Sequence, residues 1–226
     1  MSAHDDIVFF FDCDDTLLDN DRVRQDLNAS FEEVLGRHTC ARYWAHYEAL
    51  REELGYADYL GAVQRLRLDD EDDMRILQVS SLLLDYPFGS RLYPGALEAM
   101  AHCRSQGLTV ILSDGDVVFQ PRKLQRAGLW ERVDGRVLIY IHKDRRLEEV
   151  LRRYPAHHYV MIDDKLSILT AMKTAMRERV TTVWPRQGHY ALDDAANARC
   201  PHPDVTLDSI GELAHHDFST LRRIRP

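Results

Sequence analysis

The sequence predicts an α/β protein: a doubly wound parallel sheet with helices on both faces, interrupted early by a small all-helical insertion. Three observations carry this expectation. Ile7-Val8-Phe9-Phe10-Phe11 is a continuous apolar run that stops abruptly at acids, the mark of a strand buried on both faces. From about residue 89 onward, further apolar runs alternate with helical stretches, as in βα units. Between residues 18 and 88 the apolar residues recur only at helical spacing.

Taken in order, the strands after the first are expected over Leu108 to Leu112, Tyr159 to Ile162 and Thr181 to Trp184, with a shorter one, Val137 to Ile141, near an edge. Pro94 reads as the first turn of a helix that Gly107 stops. Phe119 to Ala127 forms another, closed by Gly128. Asp144 is expected to cap a helix running to Arg153, and a last one covers Leu166 to about Arg177. In the insertion, four helices are marked by Phe31, Val34 and Leu35; by Tyr43, Trp44, Tyr47, Leu50 and Leu54; by Tyr59, Val63 and Leu66; and by Met74, Leu77, Leu82 and Leu83. Gly36, Gly55 and the acidic run Asp69 to Asp73 punctuate them, the acids being expected to cap a helix. The domain boundaries read from this pattern are 1–17 with 89–226 for the sheet, and 18–88 for the helices.

Bulk properties narrow the function. The 226 residues carry a formal net charge of -8, with 45% hydrophobic and 29% charged residues. That acidic balance argues against a sequence-independent grip on DNA or RNA, which needs clustered Lys and Arg. A phosphorylated small molecule is still compatible, because a bound cation and a lysine can reverse the local field. Cys13, Cys40, Cys103 and Cys200 are scattered, so neither a disulfide framework nor a zinc site is expected. The first apolar run is too short for a membrane span or signal-peptide core, and Asp5 and Asp6 sit where such a peptide would be basic. The expected address is the cytoplasm, with no membrane partner. The paired histidines His157-His158 and His215-His216 lack zinc spacing and read as surface or turn residues.

In open α/β sheets ligands bind beyond the carboxyl ends of the strands. Those positions hold Asp12, Cys13, Asp14, Asp15 and Thr16; Ser113, Asp114 and Gly115; Lys143; and Asp163 with Asp164. Carboxylates converging from separate strands repel one another unless a cation offsets them. Oxygen ligands of this type suit Mg²⁺, while a lysine and a hydroxyl supply the donors that phosphoryl transfer requires.

These residues also carry a resemblance. Asp12-Cys13-Asp14-Asp15-Thr16 resembles the D-x-D-x-T first motif of the haloacid dehalogenase-like (HAD) hydrolases. Ser113-Asp114-Gly115 is similar to their second motif, Lys143 to the third-motif lysine, and Asp163-Asp164 to the acidic fourth motif. The helical insertion resembles the cap of one HAD subgroup. The resemblance implies a Rossmann-like core and a phosphatase forming an aspartyl-phosphate on Asp12, with Asp14 as acid and base. Ser113 and Lys143 would contact the phosphoryl group and Asp12. Cys13, Thr16, Asp114 and Gly115 would line the substrate, partly through backbone N–H groups. Mg²⁺ would be held by Asp12, the Asp14 carbonyl, and the Asp163/Asp164 pair, Asp164 being favoured as the direct ligand. The chain departs from the family pattern after Lys143, where Asp144 replaces the usual proline, and Lys123 and Lys165 are rivals for the lysine's place.

The implied substrate is a small phosphorylated metabolite, and a monomer and a homodimer both fit. Alternatives are a phosphoglucomutase-like transfer, a 2-haloacid dehalogenase, a signalling receiver, and a binding protein without turnover. Arg24, Arg42, His46, Tyr47 and Arg51 could reach a substrate from the insertion, but no motif assigns them and they are not counted as site residues.

Overall fold

A computed structural model describes residues 6–219 and 221, apart from the side chain of Asp194; the outermost residues of the expected core lie outside the described residues. The first strand, β1 (Ile7–Phe11), is followed by four helices: α1 (Asn20–Leu35), α2 (Arg37–Leu54), α3 (Tyr59–Asp69) and α4 (Arg75–Asp85). The chain then alternates through α5 (Ala96–Gln106), β2 (Leu108–Asp114), α6 (Phe119–Arg126), α7 (Leu129–Arg132), β3 (Val137–Tyr140) and α8 (Leu147–Arg153). It closes with β4 (His158–Ile162), α9 (Leu166–Met176), β5 (Val180–Pro185), a short helix α10 (Gly188–Ala191), and β6 (Val205–Leu207).

The six strands among the described residues are all parallel, in the order β3-β2-β1-β4-β5-β6. The order reverses at β1, which pairs with β2 on one side and β4 on the other, so the crevice of a doubly wound sheet opens at its carboxyl end. The continuous apolar run of β1 is explained by its two covered faces. Phe9 and Phe11 pack on one side with Ala99, Met100 and Leu124 of α5 and α6. Val8 and Phe10 pack on the other with Val150, Leu169 and Met172 of α8 and α9.

The helices α1 to α4 bury successive helical-face residues, such as Val23, Leu27, Phe31 and Leu35 of α1. Asp19 caps α1 by accepting from Arg22 N–H at 2.9 Å, and Asp58 caps α3 through Gly61 N–H at 2.7 Å. This packing joins α6, a helix of the α/β part of the chain, through aromatic contacts, with Tyr59 and Phe119 rings 4.7 Å apart. The chain leaves and re-enters the sheet side by side. Leu18 bridges to Leu92, Asp19 N–H donates to the Arg91 carbonyl at 2.8 Å, and Tyr93 N–H to that of Leu17 at 2.9 Å.

Some expectations fail in detail. Pro94 precedes its helix, whose first residue is Ala96 after Gly95. Asp144 does not cap α8; it lies in a 3-10 turn over Lys143–Arg146, and α8 has no side-chain cap. On α4 the buried face is Ile76, Val79 and Leu83, while Met74 and Leu77 are exposed. Of the acidic run, Asp73 accepts from Arg75 N–H at the start of α4, but Asp69 ends α3 and instead pairs with Arg42 and His46. His158 is buried in β4, its ring bonded to the Thr181 hydroxyl at 2.9 Å and its pKa lowered by burial. The edge strand β6 has no counterpart in the expected set. No helix among the described residues is long and apolar enough to cross a membrane.

Candidate active site

The turn after β1 begins at Asp12, whose N–H still donates to the Ile162 carbonyl of β4 at 2.9 Å. Ladder pairing thus fixes the first acid at the switch point. The chain then curls sharply. Cys13 carbonyl accepts from Leu17 and Leu18 N–H at 2.9 and 3.0 Å, and Asp15 adopts φ +59°, a left-handed conformation that Asp tolerates better than most residues. Asp15 helps stabilise it by accepting from Asn20 N–H at 2.9 Å. Cys13 itself is completely buried in the core, which pushes its thiol pKa well up, so only its backbone can face a ligand.

Three buried acids converge here. Asp12, Asp163 and Asp164 each present an oxygen within 4.8 Å of the others. Lys143, 2% exposed, hydrogen-bonds Asp12 and forms an ion pair with Asp163 at 2.7 Å. The Asp114 carboxylate accepts the Lys143 N–H at 2.7 Å and fixes the lysine's loop without the expected proline. Burial lowers the Lys143 pKa, but Asp12, Asp163 and Asp114 outweigh it and the net shift is upward. Asp12 is raised above the ordinary carboxylate range, chiefly by burial, with Lys143 opposing and Asp163 adding to the shift.

Asp164 is the least compensated member. It is fully buried, and neither carboxylate oxygen has a hydrogen-bond partner. Burial, then Asp163 and Asp12, raise its pKa well above the usual 3.8. Asp163, by contrast, accepts from Lys165 N–H at 2.9 Å in addition to its ion pair. An orphaned buried carboxylate among oxygen donors is what a hard divalent cation would satisfy. Thr16 is placed to support this acid: its hydroxyl accepts from Asp164 N–H at 3.0 Å.

Asp14 diverges from the cluster toward a cavity of about 220 Å³ between the sheet and the insertion. Its carboxylate is held by Lys123 at 2.7 and 3.0 Å. Ser113 is buried, accepts from Gln120 at 3.0 Å and donates to the Asp114 carbonyl at 3.3 Å. Gly115 lines the cavity, yet its N–H already donates to the Tyr140 carbonyl at 2.9 Å, leaving Asp114 and the first turn as the backbone donors to consider. The three lysines weighed for one role therefore occupy three places. Lys143 sits on Asp12, Lys123 on Asp14, and Lys165 lies over the Tyr190 ring at 4.4 Å while still feeling the charges of Asp164 and Asp12.

The insertion contributes Arg24, Tyr47, Arg51 and Tyr59 to the cavity wall, whereas Arg42 and His46 are held away by Asp69. Arg51 donates to the Tyr190 hydroxyl at 2.5 Å, joining α2 to α10 across the cavity. Lys123 and Gln120 were legible in principle, since they stand three apart on the helix after Gly115. Nothing in the sequence points to Tyr59 or Tyr190.

A family model for haloacid dehalogenase-like hydrolases matches residues 8–175, a span that includes every acid and lysine just described. The chain belongs to the haloacid dehalogenase-like hydrolases. Among solved structures it is similar to a haloacid dehalogenase-like hydrolase of Burkholderia xenovorans LB400, with 60% identity, TM-score 0.88, and 94% of this chain and 99% of that one covered. More distant members of the HAD fold include L-2-haloacid dehalogenase from Xanthobacter autotrophicus with chloropropionic acid covalently bound, at 17% identity, TM-score 0.59, and coverage of 96% and 99%. Another is a protein described as a β-phosphoglucomutase from Thermotoga maritima, at 18% identity, TM-score 0.58, and the same coverage. At those identities the likeness concerns the HAD fold alone. No curated protein matches the chain in sequence.

Proposed function

We propose that this HAD hydrolase is a Mg²⁺-dependent phosphatase that removes the phosphoryl group of a small phosphate monoester through an aspartyl-phosphate on Asp12. The observation that carries the reading is the pairing of two acids with different surroundings. Asp12 is buried beside Lys143 and the Asp163/Asp164 pair, whereas Asp14 opens onto the cavity. A halide leaves carbon without needing a proton, but an alcohol leaving phosphorus does need one. A carboxyl at Asp14 is therefore accounted for by an ester and left without a task by a haloacid.

In the first half-reaction an Asp12 carboxylate oxygen bonds to phosphorus as the ester P–O bond breaks, and the departing oxygen takes the proton of Asp14. In the second, Asp14 accepts a proton from water, whose oxygen attacks phosphorus and releases phosphate and Asp12. Lys143 holds Asp12 in line and offsets its charge, and the Ser113 hydroxyl, by turning from the Asp114 carbonyl, would supply a donor for a phosphoryl oxygen. Mg²⁺ would be held by Asp12, the Asp14 carbonyl, Asp164 and, directly or through a neighbour, Asp163, and it would supply charge neutralisation for the transferring group. The orphaned oxygens of Asp164 support that assignment, with Asp164 as the direct ligand.

The test is a screen of purified protein with Mg²⁺ against a panel of phosphorylated metabolites, with EDTA and Asp12→Asn as controls. Phosphate release that stops in both controls is the expected result. Release that persists in Asp12→Asn refutes the nucleophile, metal-independent halide release revives the dehalogenase, and isomerisation of a sugar phosphate without phosphate release points to a mutase.

A further inference from the structure

Asp14 has little rigid support of its own: it sits in an irregular turn with its side chain 30% exposed to the cavity. A proton-transfer group has to lie within hydrogen-bond reach of the oxygen it serves, and an error of about 1 Å costs about 100-fold in rate. Something must therefore hold this carboxylate, and the holding groups come from α6. Lys123 is only 1% exposed and contacts both carboxylate oxygens, at 2.7 and 3.0 Å. Gln120, 3% exposed and one turn earlier, lies 3.4 Å from the second oxygen while its amide is anchored on Ser113 at 3.0 Å. Gly115 permits that approach, since a Cβ there would meet the Gln120 side chain at 2.7 Å.

Lys123 is itself fixed from the other side. Its ammonium donates to the side-chain oxygen of Asn20 at 3.3 Å, and Asn20 is the first residue of α1. Buried in this way, the lysine cannot exchange its partners for water, and its geometry is passed on to Asp14.

We propose that Lys123 is a positioning residue, with Gln120 as its second strut, that aims Asp14 at the leaving-group oxygen and ties that aim to the seating of α1. This rests on the phosphatase reading above for the role of Asp14, and on the contacts alone for the positioning. A lysine that merely stabilised the fold would affect all substrates alike. One that aims a proton donor affects only substrates whose leaving group needs the proton.

The experiment compares wild type with Lys123→Met, confirmed as folded by circular dichroism, using glycerol 2-phosphate and 4-nitrophenyl phosphate with Mg²⁺. 4-Nitrophenolate departs without protonation, so kcat/KM with that ester should stay within about threefold, while kcat/KM with the alkyl ester should fall about 100-fold. Equal effects on the two esters, whether no loss or the same loss, overturn the proposal. If Lys123→Met does not fold, Lys123→Gln keeps a donor, drops the charge, and is read by the same comparison. Should wild type hydrolyse neither ester, the phosphatase reading is decided by the metabolite panel above. A crystal structure of the variant then decides the positioning separately: a displaced Asp14 side chain upholds it, and an unmoved one refutes it.

Discussion

Replacing Asp164 with asparagine should make the metal-free protein harder to unfold. Asp164 is fully buried, both oxygens lack hydrogen-bond partners, and Asp163 and Asp12 add like charge to the burial that raises its pKa. An uncompensated buried charge costs about 3 kcal/mol, and Asn removes the charge at nearly constant shape. In a chain of this size each kcal/mol moves the midpoint by about 2–4 °C, so the variant should melt about 6–12 °C above wild type in EDTA at pH 7.5. The sign with pH follows from linkage. A carboxyl with a raised folded-state pKa binds more protons folded than unfolded, so wild-type stability falls as pH rises above the usual 3.8. The advantage of Asp164→Asn should therefore shrink toward zero as pH approaches 4. With Mg²⁺ at about 100 times its dissociation constant, wild type should recover about 2.7 kcal/mol and the variant little. Scanning calorimetry with and without Mg²⁺ measures both effects. A variant that melts at or below wild type in EDTA, or that gains as much from Mg²⁺, refutes the account of Asp164 as a strained, cation-seeking acid.

Two further outcomes concern stability. Gly188 has φ +73° and approaches Asp15 so closely that an added Cβ would lie 2.4 Å from the Asp15 Cβ; Gly188→Ala should cost about 2 kcal/mol or more in chemical denaturation, and an unchanged midpoint would contradict that contact. Asp26 accepts from Arg91 at 2.6 Å and from Tyr86, and these bonds hold its pKa below the usual 3.8 although burial alone would raise it. Its stabilisation is present above pH 4 and disappears as pH falls through the lowered folded value. Asp26→Asn should thus cost about 1 kcal/mol at pH 7 and progressively less as pH falls below the usual 3.8, read from urea midpoints across that range.

The sheet was legible because its central strands are covered on both sides. An uninterrupted run such as Phe9-Phe10-Phe11 has few other uses in a chain this polar. β6 was not legible, since Val205–Leu207 is only three residues and one of them is Thr206. His158 was misassigned to a turn for a related reason: whether an imidazole tolerates burial depends on finding a partner, and Thr181 comes from a neighbouring strand. The acids and Lys143 could be placed because strand ends in this topology point to one rim. Lys123 could be named only as a rival, because sequence order does not reveal which carboxylate a lysine meets. Tyr59 and Tyr190 reach the cavity through the docking of helices on the sheet, which no local spacing encodes.

The paired crossing at Leu18 and Leu92 has an architectural consequence. Because the outgoing and returning segments of chain are bonded to each other, the sheet sees a closed loop of fixed mouth, whatever lies inside it. Beyond the first turn of α1, where Asn20 touches Asp15 and Lys123, helices in that loop can be lengthened, exchanged or remodelled over evolutionary time while the strand ends keep their acids in place. The strand-end acids and the cavity wall that α1 to α3 contribute are thereby free to change at different rates in one polypeptide.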